Sequence, residues 1–281
     1  MSLAFQNKLL KKFKNNPNLC NWLKYYSVEV WNRIGFIRQT KRGKISEITI
    51  TENLIFEFWK LASVSRFPIQ IYEAKNERVN GSDLEIFIET DKGFLFIPCQ
   101  AKILYENDKY MAISHKVGNN DQIQLLIDYA TKNGGIPFYL LYNFSLDTIS
   151  HEAFSSKQPS SDISLYGCSI IGADFINRYY RHGRTNNSGN KDWLIPKFHN
   201  LNPVPALPFH SLICSLQSSG VDEWITSKKM LIGEVKPRFY SHQEFIKNDN
   251  WIDLAPLPGI GFVINENPDS ICAIKLILWF V

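Results

Sequence analysis

The stretch "NGSDLEIFIETDKGFLFIPCQAKIL", residues 80–104, decides the expected fold of this chain. Two apolar runs flank Asp91-Lys92-Gly93, a combination that predicts a β-hairpin. Residues two apart in a strand point to the same face, so alternate apolar residues of both runs form one buried face. Four polar residues interrupt the runs at the end far from the turn, and they are Asp83, Glu85, Gln100 and Lys102.

The strand register decides which of these polar groups meet. A tight turn at residues 91–92 places Asp83 opposite Gln100, whereas a register two residues away places Asp83 opposite Lys102. Either register gathers the polar groups on one face. A half-solvated sheet with polar cross-strand pairs would account for them without any chemistry. A site for phosphodiester hydrolysis would also account for them, since carboxylates bind Mg²⁺ or Mn²⁺ and a lysine stabilises charge on a phosphate.

The segments around the hairpin predict a mixed α/β core over residues 46–150. Apolar residues at three- and four-residue spacing predict helices, and short apolar runs predict strands. Thr51 is the expected N-cap of the helix that precedes the hairpin. The run at 136–144 is almost entirely apolar, which is typical of a buried strand and favours parallel pairing. The predicted helices cover 4–14, 18–34, 51–63 and 119–134, and the predicted strands outside the hairpin cover 69–74 and 136–144.

The second half of the chain, residues 151–281, differs in composition. Polar loops alternate with a proline-rich stretch at 194–212 that is expected to be largely irregular. We therefore expect a loop-rich C-terminal elaboration packed on the core, with a closing strand near 270–281. The stretch at 196–208 also offers a surface for another protein, which keeps an adaptor role, a protein partner or a homo-oligomer open.

Positive charge concentrates at the start of the chain. Residues 1–44 contain ten Lys or Arg and a single acid, Glu29. We expect a basic helical segment over 1–45 whose cationic and aromatic side chains bind nucleic acid. A solvated basic face of an amphipathic helix is the alternative. The candidate nucleic-acid contacts are Lys11, Lys12, Lys14, Arg38, Lys41 and Arg42.

The cysteines and the hydropathy favour a cytoplasmic protein. Five dispersed cysteines without CxxC spacing are typical of reduced thiols. His210 and Cys214 have the spacing of a metal-ligand pair, but no second pair accompanies them, so a structural role is favoured. The first residues do not resemble a signal peptide, and no apolar run is long enough for a transmembrane helix. Membrane association is therefore not expected.

Asp83, sixteen intervening residues and then Gln100-Ala101-Lys102 form a recognisable spacing. It resembles the PD-(D/E)XK nuclease superfamily, in the branch where glutamine replaces the acid before the lysine. The resemblance implies a restriction-endonuclease-like mixed sheet flanked by helices. It also implies a Mg²⁺ or Mn²⁺ ion bound by Asp83, Gln100 and the carbonyl of Ala101, with Lys102 acting on the attacking water. DNA is favoured over RNA, and defence against phage is a role that suits this superfamily.

The resemblance further implies an additional acid, often on a helix before the hairpin. We place Glu52 and Glu85 in the predicted catalytic set, with Glu47, Glu57 and Glu77 as further candidates. Glu57 borders the apolar stripe of its helix, whereas Glu52 lies away from it. A favourable interaction with the helix dipole is the alternative explanation for Glu52.

Several other segments resemble, in order, a bacterial family of unknown function. Glu47, Glu77 and Glu85 fall within these motifs, which favours them as site residues. The motifs lie within residues 46–215 and are SEITITENL (46–54), NERVNGSDLEI (76–86), QAKIL (100–104), QLLIDYA (124–130), PFYLLYN (137–143), LYGCS (165–169) and PFHSLIC (208–214).

The sequence therefore predicts a metal-dependent nuclease that hydrolyses phosphodiester bonds. The alternative is a catalytically silent nucleic-acid-binding or assembly subunit, because a nuclease-like fold can lose activity and keep binding. The presence of Asp83, Gln100 and Lys102 together favours the enzyme.

Overall fold

The computed structural model describes residues 11, 18–62, 69–74, 76–158, 161–181, 184–185, 191–233, 236–241, 243–244, 260–263 and 275–278. Apart from Lys11, the predicted helix at 4–14 lies outside the described residues, and so do Lys12, Lys14 and Cys272.

The described helices and strands alternate along the chain. The helices are α1 (Leu19–Thr40), α2 (Glu47–Ala62), α3 (Glu77–Asn80), α4 (Gln122–Lys132), α5 (Thr148–Lys157), α6 (Ala173–Tyr180), α7 (Phe198–Leu201), α8 (Phe209–Ser219), α9 (Val221–Ser227) and α10 (Lys229–Ile232). The strands are β1 (Ile69–Glu73), β2 (Leu84–Thr90), β3 (Gly93–Ile103), β4 (Lys116–Val117), β5 (Asn120–Asp121), β6 (Phe138–Tyr142), β7 (Cys168–Gly172), β8 (Arg184–Thr185), β9 (Lys191–Asp192), β10 (Leu207–Pro208), β11 (Phe239–Tyr240), β12 (Ile260–Val263) and β13 (Lys275–Leu278).

One mixed sheet organises the molecule. Its seven strands run in the order β1-β2-β3-β6-β7-β10, and β11 pairs with the beginning of β3. β3 and β6 are parallel, whereas the other neighbours in this sheet are antiparallel. The predicted mixed α/β class, with a sheet flanked by helices, is confirmed. The parallel pairing expected for the run at 136–144 is confirmed as well.

The hairpin of β2 and β3 adopts the first of the two predicted registers. Thr90 pairs with Gly93 and Leu84 pairs with Cys99. Just before β2, the N–H of Asp83 donates to the carbonyl of Cys99 at 2.8 Å. Asp83 therefore lies beside Gln100 and not beside Lys102.

Apolar side chains bury both faces of the hairpin. Leu84 and Ile97 belong to the main core, whereas Phe87 and Phe96 stack on the opposite face with ring centroids 4.9 Å apart. The side chains of Gln100 and Lys102 are only 1% and 4% exposed. The half-solvated sheet is therefore not the explanation of the polar cluster, because Glu85, Gln100 and Lys102 are buried.

Helix α1 is part of the core. Trp22, Tyr26 and Trp31 are buried, and the Tyr26 hydroxyl donates to the carbonyl of Ile50 on α2 at 2.9 Å. These aromatic rings therefore pack in the core and are not available to stack on bases.

Helix α2 begins one turn earlier than predicted. The Ser46 hydroxyl accepts a hydrogen bond from the N–H of Thr49 at 3.1 Å, which is the interaction of a capping side chain. Thr51 lies inside the helix, and its hydroxyl donates to the carbonyl of Glu47 at 3.0 Å. The prediction of Thr51 as N-cap is wrong, because Ser46 competes for the same role. The earlier start places Glu47 in the first turn.

The expectation of reduced thiols is wrong for one pair of cysteines. Cys20 on α1 and Cys214 on α8 form a disulfide with a Cα–Cα distance of 5.8 Å, whereas Cys99 and Cys168 are free and buried. The two partners are 194 positions apart in sequence, so only the packing of α1 against α8 reveals them. Cys214 is consequently not half of a metal pair with His210.

The chain beyond residue 150 completes the same sheet through β7, β10 and β11. The proline-rich stretch contains α7, β10 and the start of α8, so it is more ordered than expected. The closing strand corresponds to β13, which pairs with β12 outside the main sheet. Within the described ranges, no helix has both the length and the apolar character needed to cross a membrane.

Candidate active site

The end of β3 brings two carboxylates together. β2 pairs with β3 only as far as Cys99, so no described strand covers Ala101 and Ile103 on that side. Instead, the N–H of Ala101 donates to Oδ2 of Asp83 at 2.7 Å, and the N–H of Ile103 donates to Oε2 of Glu47 at 2.9 Å. The two carboxylates thus take the place of a strand neighbour, and the backbone of β3 fixes both.

Gln100 and Lys102 project from the same stretch of β3. Nε2 of Gln100 donates to Oδ2 of Asp83, and Nζ of Lys102 lies 3.5 Å from Oε1 of Glu47. The N–H and C=O of one strand residue point to the same side, so the carbonyl of Ala101 also faces the two carboxylates. The structure therefore brings together Asp83, Gln100, Ala101 and Lys102, and it adds Glu47.

An open cleft of about 140 Å³ adjoins these groups, with walls from α2, α3 and the end of β1. Lys102 offsets part of the negative charge through its ion pair with Glu47. The remaining excess of carboxylates makes the cleft a favourable place for a cation. The acidic residues that line it are Glu47, Glu52, Glu73, Glu77 and Asp83.

Burial shifts the pKa of two carboxyl groups that line the cleft. Burial raises the pKa of the Asp83 carboxyl to about 8, and repulsion from Glu47 and Glu77 adds to the rise, whereas Lys102 and the Ala101 N–H oppose it. Burial also raises the pKa of Glu47, against the opposing effect of Lys102. A divalent cation between the carboxylates would relieve both the desolvation and the repulsion.

The donor set fits a hard divalent cation. Asp83, Glu47 and the carbonyl of Ala101 supply oxygen atoms of the kind that bind Mg²⁺ and Mn²⁺. Oε1 of Gln100 is buried and has no hydrogen-bond partner in the described part of the chain. An unpartnered buried acceptor is costly, and a nearby cation would offset that cost.

The acids of α2 have separate positions. Glu47 contacts β3, whereas Glu52 lines the cleft with an exposed side chain. Glu57 lies 3.6 Å from Lys60 and does not line the cleft. Glu47 is therefore the acid of this helix that joins the hairpin residues, and Glu52 stands at the cleft wall.

The two other candidate acids, Glu77 and Glu85, also lie in different places. Glu77 lines the cleft, and its Oε1 accepts a hydrogen bond from Nε2 of Gln122 at 2.9 Å. Glu85 is buried and accepts a hydrogen bond from the hydroxyl of Tyr129 at 2.6 Å. Glu85 is not among the residues that line the cleft, and its contact with Tyr129 joins β2 to α4.

The described candidate nucleic-acid contacts are not all exposed to a ligand. Lys11, Lys41 and Arg42 are exposed. The guanidinium of Arg38 instead donates to the carbonyls of Phe144, at 2.9 Å, and Leu104. Arg38 therefore joins α1 to two loops, whereas Lys41 and Arg42 lie in the connection that leads to Glu47 and the cleft.

A second polar cluster was not foreseen from the sequence. Asp108, Asp147 and His199 offer ligand atoms within 4.8 Å of one another. The hydroxyl of Ser150 lies among them, 2.6 Å from Asp108 Oδ2, 3.0 Å from Asp147 Oδ2 and 3.1 Å from His199 Nδ1. These residues are scattered along the chain without a ligand spacing, so no sequence signal pointed to them.

The cleft lies within the part of the chain that defines its family. Residues 19–270 match a family of unknown function, DUF6615, and this range includes α1, the hairpin and the second cluster. The chain belongs to the DUF6615 family. No curated protein matches it. The chemistry of the cleft is therefore what indicates the function of this DUF6615 member.

Proposed function

We propose that this protein is a Mg²⁺- or Mn²⁺-dependent nuclease that hydrolyses phosphodiester bonds, with DNA as its substrate. The observation that carries the proposal is the meeting of Asp83, Glu47, the backbone of Ala101 and Lys102 where β3 continues beyond the first residue of β2. Oxygen ligands beside one ammonium group suit metal-assisted phosphoryl chemistry.

Each residue has a role that follows from its position. Asp83 and Glu47 would hold the ion, and the N–H groups of Ala101 and Ile103 keep both carboxylates oriented. A bound divalent ion would polarise the phosphate and supply a hydroxide-like water. The ammonium group of Lys102 lies beside these carboxylates and would stabilise the negative charge that develops on the phosphate. Glu52 and Glu77 extend the negative wall of the cleft.

Metal binding should depend on pH in a defined direction. The pKa of Asp83 is raised from 3.8 to about 8, so between these pH values the metal-free folded protein loses stability as the pH rises. Bound cation removes this penalty, whereas protons compete with it at low pH. We expect Mn²⁺ to raise the melting temperature more at about pH 8 than at about pH 5.5, measured by scanning fluorimetry. Equal shifts at both pH values would contradict this role of the cleft.

The connection between α1 and α2 should contact phosphates. Lys41, Arg42 and Lys44 are exposed in this connection, close in sequence to Glu47. Replacing all three with alanine should weaken binding to a DNA duplex, measured without divalent metal so that no cleavage occurs. The slope of log K against log salt should fall by up to about 0.9 for each lost phosphate contact. Replacing Arg38 would not be a fair control because it joins two loops, so Lys92→Ala at the opposite end of the hairpin is preferred. An unchanged slope would mean that the basic residues form only a solvated face.

The cellular role is proposed from the resemblance to PD-(D/E)XK nucleases. That resemblance favours DNA over RNA and a function in defence against foreign DNA. The cytoplasm is the proposed compartment, and the Cys20–Cys214 disulfide is the feature that argues against it, since disulfides are rare there. A protein partner or a homo-oligomer stays open.

The decisive experiment is cleavage of plasmid DNA with Mg²⁺ or Mn²⁺ by the full chain, with a chelator as the negative control. Cleavage that needs both the metal and Lys102 supports the proposal. Tight DNA binding without cleavage under either metal would instead support a catalytically silent binding subunit.

A further inference from the structure

Helix α2 exposes apolar side chains beside the candidate metal site. Ile48 and Ile55 line the same cleft as Glu47 and Asp83, and Ile48 is 68% exposed. The residues that α2 buries in the protein lie on another face of the helix, and they are Ile50, Thr51, Leu54 and Phe58. Ile48 therefore faces the cleft and not the core.

Phe56 continues this apolar surface along α2. Ile48 and Phe56 each lie four positions from Glu52, and Ile55 lies three positions beyond it. Side chains at these spacings are neighbours on a helix surface, so the three apolar residues surround Glu52. The Phe56 residue is 64% exposed. Ile48, Ile55 and Phe56 thus form one apolar patch that extends outward from the cleft, and contiguous exposed apolar surface marks a binding site more often than scattered residues do.

The charge of the cleft decides which part of a nucleic acid can contact the apolar patch. Glu73 and Glu77 line the cleft as well, and Glu52 lies within the patch itself. These carboxylates repel a phosphate backbone that runs along α2. The flat face of a base is uncharged and packs on apolar and aromatic side chains. Glu52 can also accept a hydrogen bond from an amino group on the edge of a base.

The position of the patch points to one particular base. Ile48 directly follows Glu47, whose carboxylate accepts from the backbone of β3 at the candidate metal site. A phosphate bound to a metal there brings the base of the adjoining nucleotide next to the patch. In a duplex the faces of that base are covered by the neighbouring base pairs, so the base reaches the patch only after it leaves the stack.

We propose that the apolar patch holds one unstacked base beside the cleaved phosphate, so that the preferred substrate is DNA that is single-stranded or unpaired at the cut. This inference rests on the proposed function, since the metal site fixes where the phosphate lies. Ile48, Ile55 and Phe56 determine specificity in this scheme, because they contact the base and not the reacting atoms. Paired DNA is cut more slowly, since a base pair must first open.

Three DNA substrates of the same sequence test the preference. They are a single strand, a perfect duplex and a duplex with one unpaired nucleotide in a bulge. With Mg²⁺ or Mn²⁺ and the full chain, we expect cleavage of the single strand, and of the second duplex at its bulge, to exceed cleavage of the perfect duplex by about 10-fold or more. Equal rates on all three substrates would overturn the inference.

Removing either the base or the patch tests their contact. An abasic bulge should be cut about 5- to 100-fold more slowly than the intact bulge by the wild type, the loss typical of one stacked base. In Ile48→Ala/Phe56→Ala the intact bulge should be cut as slowly, and removal of the base should cost little more. Both side chains are exposed, so the variant keeps its fold.

Ile149→Ala/Met230→Ala is the matched control. Ile149 and Met230 are 59% and 83% exposed, and neither lines the cleft. This variant should cut all substrates at the wild-type rate and keep the full effect of base removal.

The outcomes distinguish this inference from the function on which it rests. An abasic bulge that costs the wild type and Ile48→Ala/Phe56→Ala equally overturns the base contact and leaves the nuclease standing. If the variant instead changes the molar mass measured by light scattering while every cleavage rate stays constant, the patch is a protein interface and the inference is wrong. A wild type that cuts none of the substrates overturns the nuclease. Anisotropy of the labelled bulged duplex with Mg²⁺ then decides on the patch: weaker binding by Ile48→Ala/Phe56→Ala supports the base contact, and unchanged binding overturns it as well.

Discussion

Replacing Lys102 with methionine is expected to slow metal-supported DNA cleavage by about 100-fold or more, the loss typical for one preorganised electrostatic group. The Lys102 side chain is 4% exposed and its Nζ lies 3.5 Å from Glu47, so its charge acts where little water screens it. Methionine keeps an unbranched side chain that is shorter by one atom, and it removes the charge. Metal affinity should not fall, because an ammonium repels a cation. Single-turnover cleavage and calorimetry measure the two effects separately.

Lys92 offers a matched control for Lys102. It belongs to the same hairpin but lies at the turn, where it pairs with Asp222 on the surface. Lys92→Met should cleave at the wild-type rate. If Lys102→Met also cleaves at that rate, with an unchanged near-ultraviolet circular dichroism spectrum, the reacting group lies elsewhere in the protein.

Replacing Asp83 with asparagine is expected to weaken Mn²⁺ binding by about 100-fold or more and to abolish cleavage. Changes to groups that only support metal ligands cost about 10- to 100-fold, so the loss of a charged ligand should reach at least the upper end. Asparagine can still accept from the N–H of Ala101, which keeps the local fold. The metal-free variant should melt at a higher temperature than the wild type at about pH 8, because burial raises the pKa of Asp83 and makes its ionised form costly.

The second cluster provides the control for Asp83. His199→Ala should leave Mn²⁺ affinity and cleavage close to wild type, since His199 belongs with Asp108, Asp147 and Ser150. If metal binding is lost in His199→Ala and kept in Asp83→Asn, the ion binds at the second cluster and the hairpin site is not the metal centre.

The hairpin was predictable because its information is local. A turn next to two apolar runs limits the pairing to two registers, and strand alternation places the polar side chains on one face in either of them. The tight-turn register, with Asp83 beside Gln100 and Lys102 two residues further along β3, is one of these two, and the structure selects it. The continuous apolar run of β6 likewise indicated a buried strand, and its parallel pairing with β3 was as expected.

Tertiary packing decided which other groups join the hairpin. The sequence by itself determined the mixed α/β fold, the hairpin and the gathering of Asp83, Gln100 and Lys102 at one end of it, whereas the choice between the two registers needed the structure. Only the packed structure selected Glu47 over Glu52 and Glu57, because Ser46 caps α2 and the docking of that helix sets the direction of each side chain. The same packing directs Glu85 to Tyr129 and Arg38 to backbone carbonyls, and it joins Cys20 to Cys214. Such contacts join elements distant in sequence, and local spacing carries no information about how those elements approach one another.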